Sequence, residues 1–320
     1  MRLLVTGREG QVATALKEKG AARGVSVTTL GRPDLDLSGP REAIVEAVLK
    51  AADGASAIVS AAAYTAVDRA ESEPELARAV NAQGAGALAE AARRLAIPIL
   101  HLSTDYVYDG SKAGPWMEED ATGPLGVYGR SKLEGEAVIR ASGARHVILR
   151  TAWVYSPFGQ NFVKTMLRLG AERDKLSVVD DQRGSPTSAL DIADAVLAIA
   201  ERLDGGADDA SLHGTFHLAG SGETSWAGFA RAIFEGAGRR GLTVPEVAPI
   251  PTSAYPTPAE RPKNSVLSTD RLHARYGLRL PDWRTSLETV LDRLIEGPGP
   301  KTDTDTQTEP ASRNEGRTTP

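Results

Sequence analysis

The sequence predicts an α/β protein with a doubly wound parallel sheet, followed by a smaller, mixed α/β C-terminal part. Three observations support this prediction. Short apolar segments alternate with helical segments through the first 150 residues. A glycine-rich turn joins the first strand to the first helix, and small or hydroxyl-bearing residues follow the later strands. Such alternation is typical of βαβ units, in which helices cover both faces of a parallel sheet.

The first strand and the turn after it indicate a nucleotide site. Arg2 to Thr6 is a short apolar strand, and Gly7-Arg-Glu-Gly10-Gln-Val-Ala13 leads into a helical pattern. Glycines at such a turn allow close backbone approach, and the N-terminus of the helix faces a pyrophosphate. The pattern therefore predicts a Rossmann-type dinucleotide site, although a purely structural turn is the alternative. Its contact residues would be Gly7, Gly10, Gln11 and Val12.

The end of the second strand bears on the type of cofactor. The strand Val25 to Leu30 is followed by Gly31 and Arg32. An acidic residue near this point suits the ribose 2′-hydroxyl of NAD, whereas an arginine suits the 2′-phosphate of NADP. Arg32 thus favours NADP(H), with NAD(H) possible and a solvated loop arginine as the alternative. Asp36 and Leu37 could line the adenine pocket, or Asp36 could cap the next helix.

The next strands place further small and polar residues at the same edge of the sheet. Ala57 to Ser60 is a strand that runs into Ala61-Ala-Ala-Tyr-Thr65, where small side chains would let a cofactor lie against the backbone. A long alanine-rich helix runs from about Pro74 to Leu95. The fourth strand, 97–102, ends before Ser103-Thr104-Asp105, and 147–150 is the fifth. Ligands of doubly wound sheets bind beyond these carboxyl ends.

Tyr128 and Lys132 are the central catalytic candidates. They lie four residues apart at the start of a predicted helix, a spacing that places both side chains on one face. A lysine ammonium beside a phenol favours the phenolate, so we expect Lys132 to lower the pKa of Tyr128. Thr104, at the end of the fourth strand, could bond the same substrate oxygen. These residues predict proton delivery to a carbonyl group.

The second half is less regular, and we expect it to form most of the substrate site. Its predicted helices are 161–169, 190–203, 225–235 and 287–295; its strands are 175–179 and 214–218, and 249–258 is extended by its prolines. We divide the chain into a cofactor domain (1–150, with helices of 160–205 packing back on it), a mainly substrate-binding region (151–296) and a disordered tail (297–320). Trp153, Asn161 and Arg261 are substrate candidates; core packing is the alternative for Trp153 and surface exposure for Arg261.

Composition excludes several classes of function. A net charge of −5 provides no basic face for nucleic acid. The absence of cysteine excludes disulfides, cysteine nucleophiles and zinc–thiolate sites. No apolar run approaches the roughly 20 residues of a membrane span, and the first residues are too short an apolar run for a signal peptide. We therefore expect a soluble cytoplasmic enzyme with neither nucleic-acid nor membrane partners.

Taken together, the motifs resemble the extended short-chain dehydrogenase/reductase superfamily and, within it, the dTDP-4-dehydrorhamnose reductase family, over about residues 1–296. The matching motifs are Gly7-x-x-Gly10-Gln-Val, Ala61-Ala-Ala-x-Thr65-Ala-Val-Asp68, Ser103-Thr-Asp-Tyr-Val-Tyr108, Tyr128-Gly-x-Ser-Lys132, Thr151-x-Trp-Val-Tyr155, Asn161-Phe-Val-Lys-Thr-Met166, Asp181-Gln-x-Gly-x-Pro-Thr187 and Pro251-Thr-Ser-Ala-Tyr-Pro-Thr-Pro-Ala-x-Arg-Pro262.

The resemblance implies reduction of the 4-keto group of a dTDP-bound 6-deoxyhexose by NAD(P)H, the last step to dTDP-L-rhamnose. Tyr128 would donate the proton. Lys132 would tune the acidity of Tyr128 and hold the nicotinamide ribose, and Thr104 would supply the hydroxyl beside Tyr128. The sugar would contact Thr104, Asp105, Tyr106, Trp153, Asn161 and Arg261. Besides Tyr128, Lys132 and the glycine-turn residues, the cofactor would contact Arg32, Asp36, Leu37, Ala62, Ala63, Tyr64 and Thr65.

The sequence departs from the family pattern at three positions. Some members dimerise through a magnesium ion held by glutamates, and the matching positions here are Ala15 and Leu190. Neither side chain can coordinate a metal, so we expect no metal and a monomer or weak dimer. Tyr64 stands where many relatives carry histidine, which could alter the cofactor pocket slightly.

Other functions remain open at this point. The same scaffold could reduce another dTDP-deoxysugar, or serve as a nucleotide-sugar epimerase or dehydratase. Asp105 is the only carboxylate beside Thr104, and Arg32 favours exchangeable NADP; both argue against epimerases and dehydratases. A non-enzymatic alternative is a regulatory subunit like that of methionine adenosyltransferase. The intact Thr104, Tyr128 and Lys132 set favours catalysis.

Overall fold

A computed structural model describes residues 1–205 and 209–296. The predicted disordered tail, 297–320, lies outside the described residues. The strands of the described part are β1 Arg2–Thr6, β2 Ser26–Leu30, β3 Ala57–Ser60, β4 Ile99–Thr104, β5 His146–Thr151, β6 Val154–Tyr155, β7 Lys175–Val179, β8 Arg183–Gly184, β9 Thr187–Ser188, β10 Gly214–His217, β11 Thr224–Ser225, β12 Glu246–Ile250 and β13 Asn264–Ser265.

The α-helices of the same residues connect and cover these strands. They are α1 Gln11–Ala22, α2 Arg41–Ala51, α3 Val67–Ala70, α4 Pro74–Arg78, α5 Ala85–Arg94, α6 Val127–Ala141, α7 Phe162–Glu172, α8 Ala189–Asp204, α9 Trp226–Arg239, α10 Asp270–Tyr276 and α11 Trp283–Leu291.

The predicted doubly wound parallel sheet is confirmed. Among the described residues it contains six parallel strands in the order β10-β5-β4-β3-β1-β2. Side chains of a strand alternate between the two faces of a sheet. Accordingly Leu3 and Val5 of β1 lie in the core beneath α1 and α8, whereas Leu4 lies in the opposite core with α2 and α5. Burial on both faces explains why these strands are apolar throughout.

The large sheet is not made by the first 150 residues alone. Strand β10 pairs in parallel with β5, and helix α8 packs directly against α1. Ala15 of α1 and Leu190 of α8 match the positions of the magnesium-binding glutamates in some relatives. Both are buried between the two helices and contribute to a hydrophobic interface. The smaller part contains the parallel pair β7–β12, the three-stranded sheet β11-β8-β13, and the packed helices α7 and α9.

Several segments differ from the predicted elements. Helix α11 begins and ends four residues before the predicted helix 287–295. Strand β4 begins two residues later than predicted, because Pro98 has no N–H to donate to the strand ladder, and it also ends two residues later. Thr104 is therefore the last strand residue. The long helix from Pro74 contains a π-helical segment, Ala79–Gly84, between α4 and α5. The proline-rich segment 249–258 is only partly extended: β12 ends at Ile250, and a 3₁₀ turn, Thr252–Ala254, follows.

Candidate active site

A cavity of about 480 Å³ lies at the carboxyl edge of the sheet, and we call it the glycine-loop cavity. Gly7 has a φ of +96°, a conformation that favours glycine. A Cβ added at Gly10, the N-cap of α1, would meet no atom within 4 Å, so the backbone at Gly10 borders open space. The lining includes nine of the predicted cofactor residues: Gly7, Gly10, Gln11, Val12, Ala62, Ala63, Thr65, Tyr128 and Lys132.

The geometry of this cavity fits a dinucleotide. The first turn of α1 lines this cavity, and among the described residues it carries no acidic side chain and no side-chain cap on its N–H groups. Gln11 ties the glycine turn to the loop after β6, because its Oε1 accepts a hydrogen bond of 2.8 Å from Ser156 Oγ. The residues present can therefore hold a pyrophosphate against the backbone.

Four predicted cofactor residues lie outside the lining of this cavity. Tyr64 directs its hydroxyl away, to Glu73 Oε2 at 2.7 Å. Leu37 is buried among apolar side chains, with its carbonyl against Gly84. Asp36 accepts two hydrogen bonds from Ser38, which lower the pKa of its carboxyl group, and it does not cap α2, whose N-cap is Pro40.

The fourth, Arg32, lies beyond β2 with a largely exposed side chain. Its Nε is 3.5 Å from Asp36 Oδ2. Sequence reasoning missed a second arginine nearby: Arg8, within the glycine turn, is paired with Asp34. Its Cγ lies against Gly31, where a Cβ would approach to 3.3 Å. Two arginines, each held by a carboxylate, therefore flank the end of β2.

Lys132 is buried on α6 and faces the end of β4. Its Nζ donates a hydrogen bond of 2.7 Å to the carbonyl of Leu102 and lies 3.1 Å from His101 Nε2. Burial lowers the pKa of Lys132 to about 8, while the carboxylate of Glu136 acts in the opposite direction. The ammonium is thus the main form at neutral pH, and one of its three N–H groups has no partner among the described residues.

The expected effect of Lys132 on Tyr128 is wrong. Burial raises the pKa of Tyr128 to about 12, the nearby Thr104 hydroxyl lowers it in part, and the charge of Asp105 raises it. The helical spacing brings the two side chains to one cavity, but the ammonium is directed to the strand carbonyl and to His101 rather than to the phenol. Tyr128 is therefore a protonated phenol at neutral pH, which is the state that a proton donor requires.

Thr104 and Asp105 form a buried pair behind Tyr128. Thr104 Oγ1 donates a hydrogen bond of 3.0 Å to Asp105 Oδ1 and accepts one from the backbone N–H of Tyr106. Asp105 Oδ2 is buried without a hydrogen-bond partner among the described residues. Burial raises the pKa of Asp105 to about 6, partly offset by the hydroxyls of Ser265 and Thr104. An unpaired buried oxygen beside the phenol is suited to a bound polar group.

A second cavity has a volume of about 910 Å³, and we call it the aromatic cavity. Its lining includes Tyr106, whose ring meets that of Tyr128 edge to face with centroids 5.7 Å apart. Arg261 also lines it, and its guanidinium donates a hydrogen bond of 2.7 Å to Asp68. Tyr128 lines the first cavity and Tyr106 the second, so the contact between their rings links the two linings.

Trp153 forms part of an aromatic stack. Its backbone has a φ of +48°, and its indole lies parallel to that of Trp226 with centroids 3.6 Å apart. Trp226, which sequence reasoning missed, lines the aromatic cavity beside Phe162. A Cβ at Gly184 would lie 2.4 Å from Trp153 Cε2, so glycine is needed under the indole.

Asn161 has a structural role in this arrangement. Its Oδ1 accepts from the N–H of Lys164 as the N-cap of α7, and its Nδ2 donates to the carbonyls of Ser156 and Phe158. The side chain is therefore occupied by the loop before α7 and is not part of the lining of either cavity.

A buried ion pair supports the strand ends from behind. Glu136 on α6 accepts a hydrogen bond of 2.7 Å from Arg150 on β5 and one of 2.6 Å from Ser103 on β4. Burial alone would raise the pKa of Glu136, but Arg150 holds this pKa below its usual range. Arg150 also donates to the hydroxyl of Tyr108 at 2.6 Å. No local pattern in the sequence marks these partners, because they come from different strands and helices.

The parallel sheet, the glycine turn after β1 and the Tyr128–Lys132 pair at the same edge define an oxidoreductase of the extended short-chain dehydrogenase/reductase class. A family model described as the RmlD substrate binding domain matches residues 1–296. The dTDP-4-dehydrorhamnose reductase of Sinorhizobium fredii is 52% identical over 299 residues, covering 92% of this chain and 98% of that protein. The chain belongs to the dTDP-4-dehydrorhamnose reductase family.

Solved structures agree with this assignment. A crystal structure of a dTDP-4-dehydrorhamnose reductase from Clostridium acetobutylicum superposes with a TM-score of 0.83 at 38% identity, covering 92% of this chain and 99% of that one. The enzyme from Bacillus anthracis in complex with NADP gives a TM-score of 0.82 at 33% identity, with coverage of 90% and 98%.

Within residues 1–205 and 209–296, no helix is both long and apolar enough to cross a membrane. Over the same residues, no group of three or more histidine, aspartate or glutamate side chains is arranged to hold a metal ion.

Proposed function

We propose that this protein reduces the 4-keto group of dTDP-4-dehydro-6-deoxy-L-mannose to dTDP-L-rhamnose, with NADPH as hydride donor and Tyr128 as proton donor. The observation that carries the proposal is the contact between the rings of Tyr128, which lines the glycine-loop cavity, and Tyr106, which lines the aromatic cavity. The glycine-loop cavity has the backbone of a dinucleotide site, and the aromatic cavity is large enough for a nucleotide sugar. The relatives named above carry the same activity in their names, and one of them was solved with NADP.

Each residue of the proposed site has a distinct role. The cofactor, when bound, supplies the hydride. Tyr128 delivers a proton to the carbonyl oxygen of the substrate, because its raised pKa keeps the phenol protonated at neutral pH. Lys132 places a positive charge in the cavity and offers its remaining N–H group to the ribose. The Thr104 hydroxyl lies beside Tyr128 and would bond the same oxygen once its single proton turns from Asp105 to the substrate.

The aromatic cavity would hold the nucleotide sugar. Trp226, which lines it and is stacked on Trp153, provides a flat apolar wall, and Arg261 provides a positive charge already oriented by Asp68. Asp105 is in the lining of neither cavity, but its buried Oδ2 lacks a partner among the described residues, and we propose that it accepts a hydrogen bond from a sugar hydroxyl when the substrate is bound. Tyr106, which lines the aromatic cavity and meets the ring of Tyr128, would contact the sugar close to the proton donor.

The preference for NADPH over NADH rests on Arg32 and Arg8. Both guanidiniums flank the end of β2, where the adenosine ribose of a bound dinucleotide would lie, and both are paired with exposed carboxylates that a 2′-phosphate could displace. We further propose that the enzyme works without a metal, as a monomer or weak dimer. A chain without cysteine is compatible with a reducing compartment, and we propose the cytoplasm.

One assay tests the reaction and the substrate together. Purified protein is mixed with enzymatically generated dTDP-4-keto-6-deoxy-L-mannose and NADPH, cofactor oxidation is followed, and the sugar product is identified. We expect oxidation with dTDP-L-rhamnose as the product. NADPH binding without oxidation would refute this substrate assignment; other dTDP-4-keto-deoxysugars would then be tried, followed by a pull-down for a methionine adenosyltransferase partner.

A further inference from the structure

The inference concerns His101, a buried histidine that the proposed reaction does not use. His101 lies on β4 directly beneath the glycine-loop cavity and is 1% exposed. Its two ring nitrogens have different partners: Nε2 lies 3.1 Å from Lys132 Nζ, and Nδ1 lies 2.9 Å from Ser60 Oγ. The three side chains thus form a continuous polar chain from β3 through β4 to α6.

Hydrogen-bond chemistry fixes the state of the imidazole. An ammonium can only donate, so Nε2 must be the unprotonated nitrogen, and Nδ1 then carries the proton and donates to Ser60. Burial, together with the charge of Lys132, lowers the pKa of His101 well below its ordinary value. In this arrangement the ring is neutral, and its Nε2 serves as an acceptor.

We propose that His101 is a positioning residue for Lys132: held by Ser60 in one tautomer, it accepts a hydrogen bond that keeps the Lys132 ammonium charged and directed along the cavity. Two acceptors, Leu102 O and His101 Nε2, then fix two of the three ammonium protons, which leaves one for the ribose. This role rests on the proposed function, in which Lys132 holds the cofactor.

The other charged groups near Lys132 do not replace this acceptor. Tyr128 and Glu136 lie on the same helix, four residues before and after Lys132. The carboxylate of Glu136 is fully engaged by Arg150 of β5, by Arg140 and by Ser103. Tyr128 is uncharged because its pKa is raised. Loss of the His101 acceptor would therefore leave the buried ammonium less well compensated and easier to deprotonate.

The test compares two amides at position 101. His101→Gln can place an oxygen near the position of Nε2, whereas His101→Asn reaches only Ser60. The full-length protein is labelled with [ε-¹³C]lysine, the Lys132 signal is assigned with a Lys132→Met variant, and its titration is followed by NMR without ligand. We expect a midpoint near pH 8 for the wild type and the Gln variant, and a midpoint about one pH unit lower for the Asn variant.

Activity gives a second, independent readout. The high-pH limb of kcat, which reports loss of the Lys132 proton, should move to lower pH by the same amount in the Asn variant and stay in place in the Gln variant. His146→Asn is the matched control, because His146 bonds only its own neighbour Ala144 among the described residues and lies at the far end of β5. The His146→Asn variant should change neither the titration midpoint of Lys132 nor the high-pH limb of kcat.

The outcomes separate the positioning role from the proposed reaction. An unchanged Lys132 midpoint in the folded Asn variant would overturn the role of His101. If neither position-101 variant folds, Ser60→Ala takes their place. Without the Ser60 hydroxyl, His101 is no longer held in one tautomer, so the titration midpoint of Lys132 should fall. An unchanged midpoint would again overturn the proposal. A wild-type protein that lacks keto-sugar reductase activity would refute the proposed function alone, since the titration needs no substrate.

Discussion

Asp105→Asn should show that a buried carboxylate at the candidate active site lowers the stability of the protein at neutral pH. Burial raises the pKa of Asp105 from 3.8 to about 6. The folded state therefore binds more protons than the unfolded state between these values, and the free energy of unfolding falls as the pH rises through this window. The shift of about 2.2 pH units corresponds to about 3 kcal/mol at pH 7.5.

The pH-dependent contribution of the Asp105 carboxyl group to the free energy of unfolding can be separated from the other effects of the substitution. Asparagine does not titrate, but an amide nitrogen at the unpartnered Oδ2 position would lack an acceptor, at a cost of about 1–3 kcal/mol. That cost does not depend on pH. The difference in unfolding free energy between Asp105→Asn and wild type should therefore become more favourable to the variant by about 2 kcal/mol between pH 4 and pH 7.5.

The assay is urea unfolding of both proteins, followed by circular dichroism at several pH values in that range. Equal pH dependence of the two unfolding free energies would show that the carboxyl group titrates normally, and the reasoning from burial would be wrong. The same variant should reduce the keto-sugar more slowly if Asp105 accepts a hydrogen bond from the sugar.

Four other substitutions test separate parts of the site. Tyr128→Phe should lower kcat by about 10²–10⁴-fold with little change in the Kd of NADPH, because only proton donation is lost; a kcat near that of wild type would exclude Tyr128 as the acid. Arg32→Ala and Arg8→Ala should each weaken binding of NADPH more than that of NADH in fluorescence titrations, and equal effects on both cofactors would remove the argument for the 2′-phosphate. Gly184→Ala should displace Trp153, lower the free energy of unfolding by about 1–3 kcal/mol and raise KM for the nucleotide sugar. An unchanged KM would show that the Trp153–Trp226 stack does not contribute to substrate binding.

Features set by neighbours in sequence could be predicted from the sequence. The strand–turn–helix of residues 2–22 follows from local apolar pattern and glycines, and the predicted fold class is confirmed. The spacing of Tyr128 and Lys132 on one helix also brought both to one cavity. Such features depend on periodicities that a single segment carries.

Features set by tertiary placement could not be predicted. The pKa of Tyr128 depends on where the ammonium of Lys132 finds its acceptors, and these are a strand carbonyl and a histidine 30 and 31 residues away. The pair Asp68–Arg261 joins residues 193 positions apart. Trp226 carries no local motif, and its stacking on Trp153 follows only from the packing of α9 against the loop after β5.

The pairing of β10 with β5 has a consequence for the order of events during synthesis. Until residues 214–217 have left the ribosome, β5 is an open strand edge of an otherwise assembled sheet, with unpaired N–H and C=O groups along one side. Helix α8, which covers α1, also arrives late. A fragment ending near residue 150 would expose both the edge and the apolar face of α1, so the nucleotide-binding half of this protein is not a portable module and should aggregate when expressed alone.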